Sequence, residues 1–141
     1  MSEFARMLIS DPRQKRQLTL HPHLVTSAIW RAHGLANGEP WSHTDSHGVT
    51  PNDFVRSAGC KLPSDYAEHG NNVESLAAGS ADAAVIFASL AASPHHSDHL
   101  FGRGDFFGRQ THFGIAMAAG GEYGWYWVIH IARCECMVSG E

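Results

Sequence analysis

The apolar residues in the first half of the chain recur every three or four positions, the spacing that places them on one face of a helix. This spacing predicts a short helix over residues 3–10, followed by a polar, irregular lead-in up to residue 17. A longer helix is predicted from Pro22, which suits a first helical turn, to Gly38, which ends it. Its apolar face consists of Leu24, Ala28, Ala32 and Leu35.

Capping residues mark two further helices in the middle of the chain. Thr50 can cap a helix that ends near Gly59. After a short segment, VESLAAG, that is predicted to be extended or turn-like, Ser80 can cap the segment ADAAVIFASLAA. This segment is apolar on nearly all sides, so we expect it to be buried. Ser93-Pro94 ends it, and the following HHSDHLFG is predicted to add a helical turn.

The last part of the chain alternates between apolar and other residues, which is the pattern of strands. The alternating apolar residues are Phe113, Ile115 and Met117, and then Tyr123, Trp125, Trp127, Ile129 and Ile131. The GGE sequence between the two runs predicts a hairpin turn. Helices first and antiparallel strands last predict an α+β fold in a single domain over residues 1–141. We expect Tyr123, Trp125 and Trp127 to be core residues rather than a platform for a ligand, and His130 to be a strand residue with satisfied hydrogen bonds.

Charge and composition exclude some classes of function. The net charge is −4, and Arg13, Lys15 and Arg16 form the single basic patch, so we expect no nucleic-acid partner. No apolar run reaches the length of a membrane span. The first ten residues, MSEFARMLIS, do not resemble a signal peptide. An intracellular protein and a chain that begins after a removed signal both fit this start.

The three cysteines, Cys60, Cys134 and Cys136, form neither a zinc ribbon nor a CxxC redox motif. Cys60 could pair with Cys134 or with Cys136 in an oxidising compartment, which leaves one thiol free. Three free, mostly buried thiols are the alternative, and the sequence favours neither.

Histidine is the compositional outlier, with eleven residues, and the chain contains no phosphate loop, nucleophile elbow or HExxH helix. Any site must therefore be assembled from separate segments. His43 and His47 share one loop, and the 95–99 segment holds three more histidines. Glu74 lies between the two segments, and two imidazoles with one carboxylate form a ligand set that zinc accepts. We expect His47 to be a surface residue, and His95 with His99 is a minor competing pair of metal ligands.

Four ordered motifs resemble those of the CAP superfamily, and of its small bacterial SCP domains in particular. The motifs are SHTDSHGVTP at 42–51, NNVESLA at 71–77, SPHH at 93–96, and GIA at 114–116 followed by the aromatic strand WYWV at 125–128. The segment HPHLVTSAIWRAH also looks like the first long helix of this superfamily. The resemblance covers about residues 18–133.

The resemblance implies a three-layer α/β/α sandwich whose central sheet is mainly antiparallel. It also implies a cleft lined by His43, Glu74 and His96, which would bind a divalent metal ion, zinc in the first instance. A second glutamate that many eukaryotic members carry is missing here, since the helix ADAAVIFASLAAS contains none. The resemblance further implies secretion or location at the cell envelope, and a small molecule or lipid as the ligand in the cleft.

Three functions follow from this reading of the motifs. The first is a secreted binding or recognition domain that holds a metal ion through His43, Glu74 and His96. The second is a metal-dependent hydrolase of peptides or esters, in which Glu74 acts as the base. The third is a structural or interaction domain in which the His/Glu set is vestigial. Whether the protein is an enzyme is therefore left open by the sequence.

Overall fold

The computed structural model of the protein describes residues 1–135, a part of the chain that excludes Cys136. It contains helices on both sides of a four-stranded sheet. The helices are α1 (Glu3–Ser10), α2 (Pro22–Ala36), α3 (Pro51–Ser57), α4 (Ala83–Ala92), α5 (Pro94–Phe101) and α6 (Gly104–Gly108). The strands are β1 (Thr19–Leu20), β2 (Glu74–Ala78), β3 (His112–Gly120) and β4 (Gly124–Ala132). No helix within residues 1–135 is both long and apolar enough to span a membrane.

The sheet has the strand order β1-β3-β4-β2, and only the short β1 runs parallel to its neighbour. The predicted hairpin is formed by β3 and β4, whose register joins His112 to Ala132 and Gly120 to Gly124. β2 pairs with the other side of β4 and is an edge strand. The α+β fold and the mainly antiparallel sheet are thus confirmed.

Both faces of β4 are buried, because helices cover the sheet on either side. Trp127, Ile129 and Ile131 pack against α1, α4 and α5 on one face. Tyr126 and Val128 pack against α2 on the other face. The alternation of the strand therefore separates two apolar groups rather than apolar from polar residues, which explains the nearly continuous hydrophobic run of β4.

The helix starts agree with the capping residues, with one correction. Thr50 and Asp53 form a reciprocal capping box at the start of α3. Asp82, rather than the predicted Ser80, caps α4 by accepting a hydrogen bond from the amide of Ala84. Ser80 acts one step earlier, since its hydroxyl accepts from the amide of Asp82. The segment after Pro94 forms two turns of helix instead of one.

The prediction that the aromatic row belongs to the core is correct only for Trp127. Trp127 is buried, and its Nε1 donates to the carbonyl of Ser80 at 2.7 Å. Tyr123 and Trp125 are 45% and 37% exposed, so the prediction was wrong for them. They lie at the hairpin end of the sheet, beyond the apolar cluster that α1 and α4 form with β4.

Gly114 allows α2 to lie directly on β3. A Cβ atom at this position would lie 2.2 Å from the carbonyl carbon of Leu24 in α2, far inside van der Waals contact. Gly114 is paired with His130 of β4, so this close approach also brings Ser27 of α2 to the histidine. The glycine therefore sets the spacing between helix and sheet on which the candidate site depends.

We expect Gly114→Ala to lower the free energy of unfolding by about 1–3 kcal/mol, since the added methyl group must push α2 away from the sheet. Gly34→Ala is the matched control. Its Cβ would meet only Glu39 at an ordinary 3.5 Å, and alanine favours the helix by roughly 0.5–1 kcal/mol. Urea unfolding followed by circular dichroism measures both changes. Equal stability of the two variants would contradict the close approach.

The structure joins Cys60 to Cys134 in a disulfide. The bond links the loop after α3 to the residues after β4, next to a buried cluster that includes Leu24, Val55 and Val73. This pairing is one of the alternatives that the sequence left open, and the third cysteine, Cys136, lies outside the described residues.

We expect unreduced protein cleaved after Glu135 to yield a peptide pair that contains Cys60 and Cys134. Cleavage there separates Cys134 from Cys136, so mass spectrometry distinguishes the two possible pairings. Because the cross-link spans 74 residues, its reduction should lower the free energy of unfolding by about 4 kcal/mol. Recovery of Cys60 linked to Cys136, or of three alkylated thiols, would refute the pairing.

Candidate functional site

Glu74, the first residue of β2, is at the centre of the candidate site, and its side chain is fully buried. One carboxylate oxygen, Oε1, lies 3.0 Å from Nδ1 of His43. The other, Oε2, lies 2.8 Å from Nε2 of His130 and 3.7 Å from Nε of Arg31. The partners come from a loop, from β4 and from α2, so one carboxylate joins three parts of the fold.

The register of the sheet explains why Glu74 meets His130. The two residues are directly opposite each other in the antiparallel β2–β4 pair. The amide of Ile131 donates to the carbonyl of Val73 next to them, so the 73–131 pair is hydrogen-bonded and the 74–130 pair is not. Side chains of non-hydrogen-bonded pairs lie closer together, which places an imidazole against a carboxylate.

Both ring nitrogens of His130 have hydrogen-bond partners. Its Nδ1 lies 2.6 Å from the hydroxyl of Ser27 in α2, and Ser27 also contacts the carbonyl of Leu24. The sequence prediction of a strand histidine with satisfied hydrogen bonds is confirmed. Its partnership with Glu74 was missed, because the pairing of β2 with β4 cannot be read from the two separate strands.

Arg31 is the second residue that the sequence did not identify. Its side chain is only 1% exposed, and it donates through Nη2 to the carbonyl of Ser42, beside His43. The sequence did contain an indication that Arg31 is buried, since it shares the apolar helical face of Leu24, Ala28 and Leu35 in α2. A cation on the core face of a helix needs a buried anion, and Glu74 supplies it.

These contacts keep Glu74 ionised although it is buried. Burial by itself raises the pKa of the carboxyl group. Hydrogen bonds from His130 and His43 and the charge of Arg31 outweigh that effect, so the pKa of Glu74 lies below its usual value. At neutral pH the site therefore contains a fixed negative charge behind His43.

One ring nitrogen of His43, Nδ1, is hydrogen-bonded, and no hydrogen bond within the described residues engages the other. Nδ1 donates to the carboxylate of Glu74, so the lone pair for any ligand is on Nε2. Asn71 supports this arrangement, because its side-chain oxygen accepts from the amide of Glu74 and its nitrogen donates to the carbonyl of the same residue. The His43 side chain is 43% exposed and lines the cleft.

His96, the third predicted site residue, lies on α5 and lines the same cleft. Its Nδ1 is 3.0 Å from the hydroxyl of Ser93, and no hydrogen bond within residues 1–135 engages its Nε2. Burial lowers the pKa of His96, and the neighbouring His43 and His95 lower it further. Two adjacent cavities of about 210 and 220 Å³ both include His43 and His96 in their walls. The structure thus brings His43 into contact with Glu74 and places His96 along the same cleft.

His99, which together with His95 was the minor competing pair of metal ligands, forms hydrogen bonds inside the fold. Its Nδ1 lies 2.7 Å from the hydroxyl of Ser75, and its Nε2 lies 3.2 Å from the carbonyl of Ile131. Complete burial lowers the pKa of His99 to about 3, so the ring is neutral. Both nitrogens have internal partners, which favours a structural role for this histidine over metal binding with His95.

A different set of side chains has the tightest arrangement of potential metal ligands among residues 1–135. One ligand atom each from Glu39, Asp45 and His47 lies within 4.8 Å of the others, and the predicted trio does not converge to that extent. His47 is exposed, as predicted. The carboxylate of Glu39 accepts from both the amide and the hydroxyl of Ser46, and Asp45 accepts from the amide of His47. These carboxylates already stabilise the exposed loop.

The neutral, buried His99 predicts a pH dependence of stability. The unfolded chain binds a proton on this residue below about pH 6.5, whereas the folded protein does so only near pH 3. Stability therefore falls as the pH falls, by about 1.4 kcal/mol from His99 between pH 7.5 and 5.5. Urea unfolding at both pH values should show a decrease that is smaller by this amount in His99→Gln. His47→Gln, an exposed control, should retain the full decrease, and an unchanged decrease in His99→Gln would contradict the argument.

Comparisons with known proteins bear on the fold. No protein-family model and no curated protein matches the chain. The solved structure of an outer surface protein from Borrelia burgdorferi matches it with a TM-score of 0.69 and 17% identity, covering 94% of this chain and 90% of that one. An extracellular protein from Bacillus anthracis that contains an SCP domain matches with a TM-score of 0.59 and 18% identity. That match covers 82% of this chain and 34% of the longer protein. The chain therefore has the fold of the SCP domain, as its resemblance to the CAP superfamily predicted.

Proposed function

We propose that this protein is a binding domain of the cell surface or extracellular space that holds a divalent metal ion, zinc, between His43 and His96. The observation that carries the proposal is the state of the two imidazoles. Each has Nδ1 engaged by a neighbour, Glu74 or Ser93, and no hydrogen bond within residues 1–135 engages either Nε2. Both residues line one cleft. Imidazole nitrogens suit zinc, and two of them leave coordination positions for water or another ligand.

Glu74 fits best as the group that orients His43. A carboxylate that accepts from the far nitrogen of a metal-binding histidine fixes the ring and strengthens it as a ligand. Both oxygens of Glu74 already have partners in His43 and His130, and Arg31 balances the charge. Such a carboxylate is a poor base, so the geometry favours binding over the alternative of hydrolysis.

The environment also supports binding at neutral pH. Only a neutral imidazole can ligate a metal ion, and the lowered pKa of His96 keeps that ring neutral. The two cavities, each of roughly 200 Å³, are smaller than typical pockets for drug-sized ligands. They suit an ion with a small polar ligand better than a lipid.

The disulfide and the similar structures support a location outside the cytosol. Stable disulfides are typical of oxidising environments outside the cytosol, and Cys60 is bonded to Cys134. Two solved structures with a similar fold are described as an outer surface protein and an extracellular protein. These observations favour a location outside the cytosol.

Calorimetry of untagged protein with zinc chloride tests the proposal. We expect binding at about pH 7.5 that weakens at lower pH, because protons compete with zinc for imidazole nitrogens. His43→Ala and His96→Ala should each abolish it. Glu74→Gln should weaken it about 10–100-fold, because it removes the orienting charge.

His47→Ala is the matched control, since it removes a histidine from the exposed Glu39–Asp45–His47 group and leaves the cleft intact. Zinc binding that survives in His43→Ala but is lost in His47→Ala would assign the metal to the exposed loop and overturn the proposal. Circular dichroism of each variant confirms that the fold is retained.

A further inference from the structure

The free side of β2 is a second feature of the cleft. In the antiparallel pair with β4, hydrogen-bonded residues alternate with residues whose backbone groups point outward. The bonds from Ile131 to Val73 and from Gly79 to Trp125 fix this alternation. The odd-numbered residues of β2 therefore pair with β4. Glu74, Leu76 and Ala78 direct their amides and carbonyls away from the sheet.

Asn71 occupies the outward backbone groups of one residue of this edge, Glu74. Its side-chain amide accepts from the backbone of Glu74 and donates to it, as a residue of a neighbouring strand would. In the described part of the chain, no hydrogen bond engages the outward backbone groups of Leu76 or Ala78. These two residues offer two donors and two acceptors, repeated about 6.7 Å apart as in any strand edge.

Three cavities that share lining residues lie beside residues 73–79, and together they form the proposed groove. Its first cavity includes residues 73–75, its second includes Leu76, and a third, of about 230 Å³, includes Ala78 and Gly79. His43 and His96 belong to both of the first two cavities, and Trp41 belongs to both the second and the third. Trp41 is 45% exposed and gives the groove an apolar wall.

We propose that this groove binds an extended peptide segment of another protein, which joins the sheet as an added strand beside β2. The main chain of the segment pairs with Leu76 and Ala78, an apolar side chain packs on Trp41, and the next part of the segment passes His43 and His96. A peptide backbone supplies alternating amides and carbonyls at the spacing of the free edge. Lipid chains cannot pair with these groups, and sugars do not repeat them at strand spacing.

The sequence of β2 also lacks the residues that usually block strand addition. Exposed edges are commonly blocked by charged residues, proline or a covering element. The sequence of β2 is ESLAA, in which Glu74 is buried against His43 and His130 and the remaining residues are small or apolar. Asn71 ends the open stretch on one side, and Gly79, with a φ of 101°, ends it on the other. The site therefore accepts a short segment rather than a whole sheet.

Hydrogen exchange of the free protein gives the first test. The amides of Leu76 and Ala78 should exchange about tenfold or more faster than those of Ser75 and Ala77, which pair with β4. Equal protection of all four amides would mean that the edge is covered, and it would overturn the proposal.

Selection of a displayed library of random twelve-residue peptides on the full chain gives the second test. EDTA in the buffer separates this result from zinc binding, on which the proposal does not depend. Synthetic versions of the enriched peptides should bind with their N- and C-termini blocked and should protect the amides of Leu76 and Ala78. Methylation of the peptide nitrogen that pairs with the edge should abolish binding, although every side chain is retained.

Trp41→Ala and Trp30→Ala are the matched pair of variants. Both tryptophans are about half exposed, but Trp30 lies on α2 and lines none of the three cavities. We expect Trp41→Ala to weaken peptide binding about tenfold or more and Trp30→Ala to leave it unchanged. A library without binders, peptides that bind both variants equally, or binding of phosphatidylcholine vesicles in place of peptides would each refute the proposal.

Discussion

The burial of one carboxylate, that of Glu74, imposes the central constraint on this structure. A charge inside a packed sandwich is tolerated only when hydrogen bonds and opposite charge surround it. His130 of β4, Arg31 of α2 and His43 of the following loop provide these partners. Each comes from a different element, so the middle layer, one outer layer and the cleft loop must be assembled together for the charge to be stable.

The close contact between α2 and the sheet serves the same constraint. Gly114 lets the helix backbone approach β3, which places Ser27 within hydrogen-bond distance of His130. Arg31 lies one turn further along the helix and donates to the carbonyl of Ser42. The loop that presents His43 is thereby attached to the core, and an exposed imidazole gains a defined orientation from buried neighbours.

The strand β2 links the proposed metal site to the proposed peptide groove. Its first residue, Glu74, turns its side chain into the core and its backbone toward Asn71. The following residues leave their outer backbone groups open beside Trp41 and the two cleft histidines. A ligand in the groove would therefore pass the metal position, so the two proposals describe one surface with separate recognition elements: nitrogen ligands for a cation and a strand edge for a backbone.

The sequence by itself determined helices α1 to α5 and the hairpin, because these depend on local periodicity, capping and order along the chain, but it predicted no helix at α6. Thr50 and the alternating residues of β4 are examples, and the order of the motifs selected His43, Glu74 and His96 from a chain with eleven histidines. Only the tertiary structure decided what surrounds Glu74 and which side of β2 is free. Those depend on the register between β2 and β4, which are far apart in the chain, and on the contact of α2 with Gly114. The exposure of Trp125 also followed from how far the helices extend over the sheet, which no local pattern encodes.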